Sequence, residues 1–307
     1  MAKNFSLKEL ISTLENVYNM QYFDIKKLLK FCLKVDDKYL IIHNDEIIND
    51  SKKKEILKYA VQIKEGIPIQ YITNEQSFMG NVFFVNNSVL IPQPDTEIVV
   101  QSAIEKINEL IKENKKANQK IKKEHNTNDK INDKINDNTN DKINVLDLCT
   151  GSGAIGISIK KHYGEKVNVT LSDISNEALN VAKINSRRIL NDERNCKVQF
   201  VQSDMFNDIK GKFDVIVSNP PYIKSEMIEK LDKDVRNEPH IALDGGTDGL
   251  QYYKIIKSRI DNFLNENGYL ILEIGYDQKE EIQEMFKNSN CIKDYAGNDR
   301  VIIWKRG

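Results

Sequence analysis

From residue 144 to the C terminus, short apolar runs alternate with amphipathic stretches. The spacing predicts strands at 144–149, 167–172, 197–202, 213–218 and 268–274, and helices at 154–163, 175–190, 248–266 and 277–288. Two further strands, 290–295 and 300–305, close the chain and are joined by Ala296, Gly297, Asn298 and Asp299. Strands separated by helices pair in parallel, because only a long crossover returns the chain to the same end of the sheet. The pattern therefore restricts this part of the chain to an α/β fold, a mostly parallel sheet covered on both faces, with a terminal hairpin. Ligands of such sheets bind outside the carboxyl ends of the strands, so chemically unusual residues are expected there.

Three of those strand ends carry a consistent signal. Residues 145–156 read VLDLCTGSGAIG, an apolar strand running into Gly151, Gly153 and Gly156 and then a helix. Glycines allow a tight turn and let a ligand approach the backbone, and a helix N-terminus favours negative charge. A strand-to-helix turn alone would look similar, but TLSDIS then places Asp173 at the end of the next strand. An aspartate there is placed to accept hydrogen bonds from ribose hydroxyls, which suits a nicotinamide dinucleotide and S-adenosylmethionine equally. It also suits a helix cap, a role open to Asp173 or Ser175. The stretch QSDMF puts Asp204, Met205 and Phe206 after the third strand, on the edge where an adenine would lie.

The fourth strand ends as FDVIVSNPPYI, residues 213–223. Neither Pro220 nor Pro221 can donate to a ladder, so pairing stops there. The candidate catalytic residues are Asn219, Pro220 and Tyr222, with Pro221 beside them on the substrate side. A planar amide or arylamine nitrogen is a poor nucleophile because its lone pair is delocalised. Its first requirement is a pair of acceptors that hold the N–H bonds and aim the lone pair. The Asn219 carbonyl is one such acceptor, and the Pro220 backbone carbonyl, stiffened by two prolines, is a second. Both bind more tightly as the nitrogen gains positive charge. A hydride-transfer enzyme would leave this loop unexplained.

Upstream the chain changes character. Leu7, Leu10, Ile11 and Leu14 recur at helical spacing, as do Ile25, Leu28, Leu29 and Cys32, then Ile56, Leu57, Ala60 and Val61. Four or five helices are expected up to about residue 70. Phe83, Val85, Val89 and Ile91 among Asn and Gly predict a hairpin turning at Asn86 and Asn87. Pro92 and Pro94 then stiffen the chain before a helix begun by Asp95, Thr96 and Glu97. Within 113–143, the decayed repeat NDKI-NDKI-NDNT-NDKI is polar and balanced in charge, and reads as a solvated insertion, disordered or partly helical.

The 307 residues carry 45 basic and 46 acidic side chains, a net charge near −1, which gives no general attraction to nucleic acid. Cys32, Cys149, Cys196 and Cys291 are scattered, as are the four histidines, so neither a disulfide framework nor a zinc site is expected. The N-terminal MAKNFSLKEL has no apolar signal core. A chain confined to the cytoplasm is expected.

Taken in order, these motifs resemble the HemK/PrmC group of class I S-adenosylmethionine-dependent methyltransferases, the release factor glutamine methyltransferases. GIPIQYITNEQSFMGNVFFVNNSVLIPQPDTE, the glycine loop, SDISNEALNVAKINSRR, FDVIVSNPPYI, VRNEPHIALDGGTDGL, LILEIG and KDYAGNDRVI all fall in family order. The resemblance implies an α/β fold: a Rossmann-like seven-stranded methyltransferase sheet, a small N-terminal helical domain and a linking β-hairpin. It places a substrate-binding helical domain at 1–75, the hairpin linker at 76–94 and the methyltransferase domain at 95–307, with the insertion at 113–143. It implies S-adenosyl-L-methionine as cofactor, bound by Cys149, Thr150, Gly151, Ser152, Gly153, Asp173, Asp204, Met205, Phe206 and Asn219. Asn219, Pro220, Pro221 and Tyr222 would hold the glutamine of a Gly-Gly-Gln motif in class I peptide chain release factors, to which a monomer would bind without nucleic acid or membrane. A nucleic-acid amine methyltransferase shares the Asn-Pro-Pro-Tyr chemistry. Gln93 stands where many members carry arginine, and Met205 where some carry tryptophan.

Overall fold

The computed structural model describes residues 5–125, 142–190 and 198–307. Most of the tetrapeptide repeat lies outside these residues, and so does Cys196. The chain opens with β1 (Phe5–Ser6) and α1 (Leu7–Asn16), then α2 (Tyr22–Leu33), α3 (Asp37–Ile42), β2 (Ile47–Ile48), α4 (Asp50–Lys64) and α5 (Ile69–Thr73). Ser6 starts α1 with a capping box: its hydroxyl accepts the Glu9 N–H while the Glu9 carboxylate accepts the Ser6 N–H. Asn49 caps α4 by accepting the Lys52 N–H at 2.8 Å. Leu7, Leu10, Leu14, Ile25, Leu28, Leu29, Ile56 and Ala60 are fully buried in one apolar cluster. The 3.6-residue spacing puts these side chains on facing stripes, so this N-terminal unit has its own core.

Next come β3 (Gln76–Phe78) and β4 (Asn81–Phe83), an antiparallel hairpin, and α6 (Glu97–His125). The hairpin turns at Met79 and Gly80, not at Asn86 and Asn87. Both turn residues have positive φ (48° and 69°), as a two-residue hairpin turn with the right twist requires. Glu97 secures it by accepting the Met79 N–H at 2.6 Å. The buried Val85 and Val89 lie beyond the hairpin in an irregular segment, packed against Ala178 and Val181. Their alternation reflects burial of a loop, which periodicity cannot distinguish from a strand.

The rest is β5 (Ile143–Leu148), α7 (Ala154–Tyr163), β6 (Val167–Asp173), α8 (Asn176–Leu190), β7 (Gln199–Gln202), β8 (Phe213–Ser218), α9 (Lys233–Arg236), α10 (His240–Leu243), α11 (Gln251–Phe263), β9 (Leu264–Glu273), α12 (Lys279–Met285), β10 (Asn290–Lys293) and β11 (Asp299–Lys305). Seven strands form one sheet in the order β10-β11-β9-β8-β5-β6-β7. The pairs from β9 to β7 are parallel, and β11 lies antiparallel between β9 and β10. Successive side chains face opposite sides. Val145, Val215, Val217 and Ile271 pack toward α6 and α7, and Leu146, Ile216, Leu270 and Leu272 pack toward α11 and α12. Both faces are covered, so the central strands are apolar on both. The order reverses between β5 and β8, which opens a crevice at their carboxyl ends.

Candidate active site

The crevice is lined by Cys149, Thr150, Gly151 and Ser152 after β5, and by Asp173 at the end of β6. Ser203, Asp204 and Met205 after β7 and Asn219 and Pro221 after β8 complete that rim. Strand register brings the rim together: Leu148 lies opposite Ser172 and Ser218, and Asp173 opposite Gln202. The Ser218 hydroxyl donates to the Leu148 carbonyl at 2.7 Å and ties the two central strand ends.

The glycine loop is shaped by what its backbone must do. At Gly151, φ is +55° and a Cβ would meet nothing within 4 Å, so the backbone borders open space. At Gly156 a Cβ would lie 2.2 Å from Leu171 and 2.9 Å from the Asp147 carboxylate, so glycine is needed for α7 to approach the sheet. Asp147 is fully buried; its Oδ2 accepts from the Thr150 hydroxyl at 2.6 Å and the Gly156 N–H at 2.8 Å. Burial pushes this carboxyl up to about 7. Cys149 (φ 60°) and Met205 (φ 49°) are non-glycine residues held in the left-handed region on this rim, with their sulfurs 3.8 Å apart. Such backbone strain collects at binding sites.

Asp173 Oδ2 accepts the Gly151 N–H at 2.8 Å and Oδ1 accepts the Ser175 N–H at 2.9 Å. Ser175 is the cap of α8, its hydroxyl accepting the Ala178 N–H. Asp173 instead joins the glycine loop to the start of α8. Burial pushes its carboxyl above the usual range, and the N–H groups of Ser175, Gly151 and Ile174 pull it back. With three N–H donors on two oxygens, one acceptor site is left for a further donor.

The residues expected around an adenine separate. Met205 lines the crevice and Asp204 is exposed at its edge. Phe206 is fully buried and stacks on Phe263, ring centroids 4.7 Å apart, so it belongs to the core beneath. Of the Asn-Pro-Pro-Tyr loop, Asn219 and Pro221 face the crevice, while Pro220 is buried. Tyr222 is turned away: its hydroxyl donates to Glu273 Oε1 at 3.3 Å, and burial raises its pKa. The exposed Gln93 side chain folds back onto the Ile91 carbonyl at 3.2 Å.

Several wall residues carried no local signal. Leu90, Pro92 and Thr96 enter from the segment after the hairpin, and Ile241, Ala242 and Tyr252 from around α10 and α11. Asn185 on α8 is fully buried and clamps Phe84, accepting its N–H at 2.6 Å and donating to its carbonyl at 2.9 Å. It also donates to the Ser152 carbonyl at 2.9 Å. The stretch DGGTDGL braces the Asn-Pro-Pro-Tyr loop from behind. The Ile223 N–H donates to the Leu243 carbonyl and the Gly245 N–H to the Ile223 carbonyl. Gly249 (φ +73°) would put a Cβ 2.5 Å from the Tyr222 carbonyl oxygen. Gly249→Ala is therefore expected to cost about 1–3 kcal/mol of stability and to displace the loop. Thermal melting with parallel turnover assays checks this; an unchanged melting temperature contradicts it.

The chain matches two family models: "PrmC N-terminal domain" over residues 6–73 and "Methyltransferase small domain" over residues 129–238. It is 38% identical to a release factor glutamine methyltransferase of Clostridium acetobutylicum, over 92% of this chain and 91% of that one. The corresponding protein of Clostridium botulinum is 36% identical over 91% and 90% of the two chains, and that of Buchnera aphidicola 33% identical over 99% and 98%. The chain belongs to the release factor glutamine methyltransferase family. As a member of this family it is a methyltransferase, and S-adenosyl-L-methionine is its cofactor. The crevice fits that group. The open backbone at Gly151 and the remaining acceptor site of Asp173 suit an adenosine ribose, and Met205 offers an apolar wall. Among the described residues, no helix is long and apolar enough to cross a membrane.

Proposed function

We propose that this protein methylates the side-chain amide nitrogen of the glutamine in the Gly-Gly-Gln motif of class I peptide chain release factors, in support of translation termination. The names of its relatives support the substrate class. The observation that carries the chemistry is the placement of Asn219. It stands at the end of β8, on the same crevice as the glycine loop and Asp173, with its NH2 group directed to the Thr96 hydroxyl at 3.4 Å. That leaves the Asn219 carbonyl for an N–H of the incoming amide.

When bound, S-adenosyl-L-methionine supplies an electrophilic methyl group on a sulfonium sulfur. Cys149 to Gly153, Asp173 and Met205 are the residues proposed to hold it. Asn219 accepts one amide N–H and the Pro220 carbonyl, restrained by two prolines, accepts the second. Methylation makes the nitrogen cationic until one N–H proton passes to solvent water, and both acceptors strengthen as that charge develops. The apolar Leu90, Pro92 and Ile241 line the same crevice.

The helices of residues 1–75 are proposed to dock the release factor. They expose Tyr22, Phe23, Ile41 and Ile42, with Phe23 82% accessible. Phe23→Asp is expected to raise KM for the release factor about tenfold, on the scale of an interface anchor, without altering kcat. An unchanged KM removes Phe23 from the interface. The whole proposal is tested by incubating the enzyme with methyl-labelled S-adenosyl-L-methionine and a release factor, alongside the factor with its glutamine changed to alanine. Label is expected only in the unaltered factor. Label in RNA or DNA alone points to the nucleic-acid amine reaction and overturns it.

A further inference from the structure

Prolines restrain the Asn-Pro-Pro-Tyr loop only in part. Their rings fix φ, but neither has an N–H with which the loop could be tied to its surroundings. The direction of the Pro220 carbonyl depends on ψ, which its own ring does not set and which Pro221 narrows only to the extended region. The remaining restraint must come from where the chain goes next, at Tyr222. That residue is held at both ends. Its hydroxyl donates to Glu273 Oε1 at 3.3 Å, and its backbone carbonyl accepts from Gln278 Nε2 at 3.1 Å.

Gln278 lies 56 positions further along, buried in the turn between β9 and α12. Its Nε2 also donates to the Gly249 carbonyl at 3.1 Å, which uses both amide protons. Its Oε1 accepts the Gly275 N–H at 2.9 Å. One side chain thus joins the catalytic loop, the DGGTDGL stretch and the end of LILEIG. Glycines make room for it: a Cβ at Gly249 would lie 2.7 Å from Nε2, and one at Gly275 would lie 2.9 Å from Oε1. The helix does not require this residue. Gln278 occupies the N-cap of α12, yet its side chain makes no capping bond, and glutamine is not among the preferred caps. Nor does Gln278 line the crevice, so its influence on the chemistry passes through the loop it holds.

We propose that Gln278 is a positioning residue for methyl transfer: by clamping the Tyr222 carbonyl against Gly249 and Gly275, it sets the path of the chain after the prolines and so the direction of the Pro220 carbonyl. This rests on the reading of the Asn-Pro-Pro-Tyr loop given above. It explains why a glutamine stands at a helix start that it does not cap, and why the stretches on either side of it present glycine where they meet it.

The test compares Gln278→Met, Gln278→Glu and Asn219→Ala with the parent on the full chain. Methionine keeps the length of glutamine and removes all three hydrogen bonds. Glutamate, ionised at about pH 8, keeps an acceptor for the Gly275 N–H and loses both donors. Each Gln278 variant is expected to lower the single-turnover rate of methyl transfer, at saturating release factor and cofactor, about tenfold. KM for the release factor and calorimetric affinity for S-adenosyl-L-homocysteine are expected to stay within about twofold of the parent. Melting temperatures show whether each variant folds, and the glutamate variant carries the test if methionine does not. A merely structural role would lower the melting temperature and spare the rate, or would damage rate, KM and affinity together. Either result overturns the inference, as does failure of both variants to fold. If Asn219→Ala collapses the rate while both Gln278 variants stay within about twofold, this inference fails and the reading of the loop stands. If Asn219→Ala leaves the rate unchanged, the reading of the loop fails and this inference falls with it.

Discussion

Asn219→Ala is expected to lower turnover by about two to three orders of magnitude, the scale for removing one hydrogen bond that strengthens in a transition state. Cofactor affinity, measured by calorimetry, is expected to stay within about twofold. The split follows from position. Asn219 follows β8, whereas the proposed cofactor contacts come mainly from the ends of β5, β6 and β7. Alanine keeps the backbone path, since the turn is set by Pro220 and Pro221 and braced by the Ile223 and Gly245 backbone bonds. The amide of the substrate would still enter, but with one acceptor fewer and a less defined lone-pair direction. Normal turnover with normal cofactor binding would remove Asn219 from the chemistry.

The second large effect falls on the cofactor. Asp173→Ala is expected to weaken S-adenosyl-L-methionine binding about a hundredfold, roughly 2.7 kcal/mol. Two losses add. The first is the hydrogen bond proposed to the ribose, of the charge-assisted kind worth about 1.5–3 kcal/mol. The second is the anchor of the loop itself, because Gly151 and Ser175 both donate to this carboxylate. Asp173→Asn is expected to fall between parent and alanine: an amide has one acceptor oxygen, so its NH2 must face one of those two backbone donors. Isothermal titration of both variants, with kcat measured at saturating cofactor, checks this. Affinity within threefold of the parent for Asp173→Ala contradicts the assignment.

Much of the site was legible because it is local. VLDLCTGSGAIG contains its strand, its turn and its helix start within twelve residues, and TLSDIS and FDVIVSNPPYI each end a strand with a residue that lines the crevice. Since the strands are parallel, every such end lies on one rim, and the sequence pattern alone brings Gly151, Asp173 and Asn219 together. Phe206 shows where this stops. The neighbouring Met205, with φ of 49°, bends the backbone so that one side chain faces the crevice and the next enters the core. Similarly, Tyr222 follows the prolines in sequence but is drawn inward by Glu273, 51 residues away.

By itself, the sequence determined the α/β class, the strand ends that meet on the crevice and the helical character of the N-terminal segment. Each depends on periodicity or on turn residues acting within a few positions. Tertiary structure decided what depends on packing between distant segments. It moved the hairpin turn to Met79 and Gly80, whose positive φ values fit the strand twist while Val85 and Val89 are buried as loop. It placed β11 between β9 and β10, which brings Arg300 beside Glu273. It also set Thr96 against Asn219 across 123 positions of chain. No spacing rule reaches that far; only the closed sheet, covered on both faces, makes those side chains neighbours.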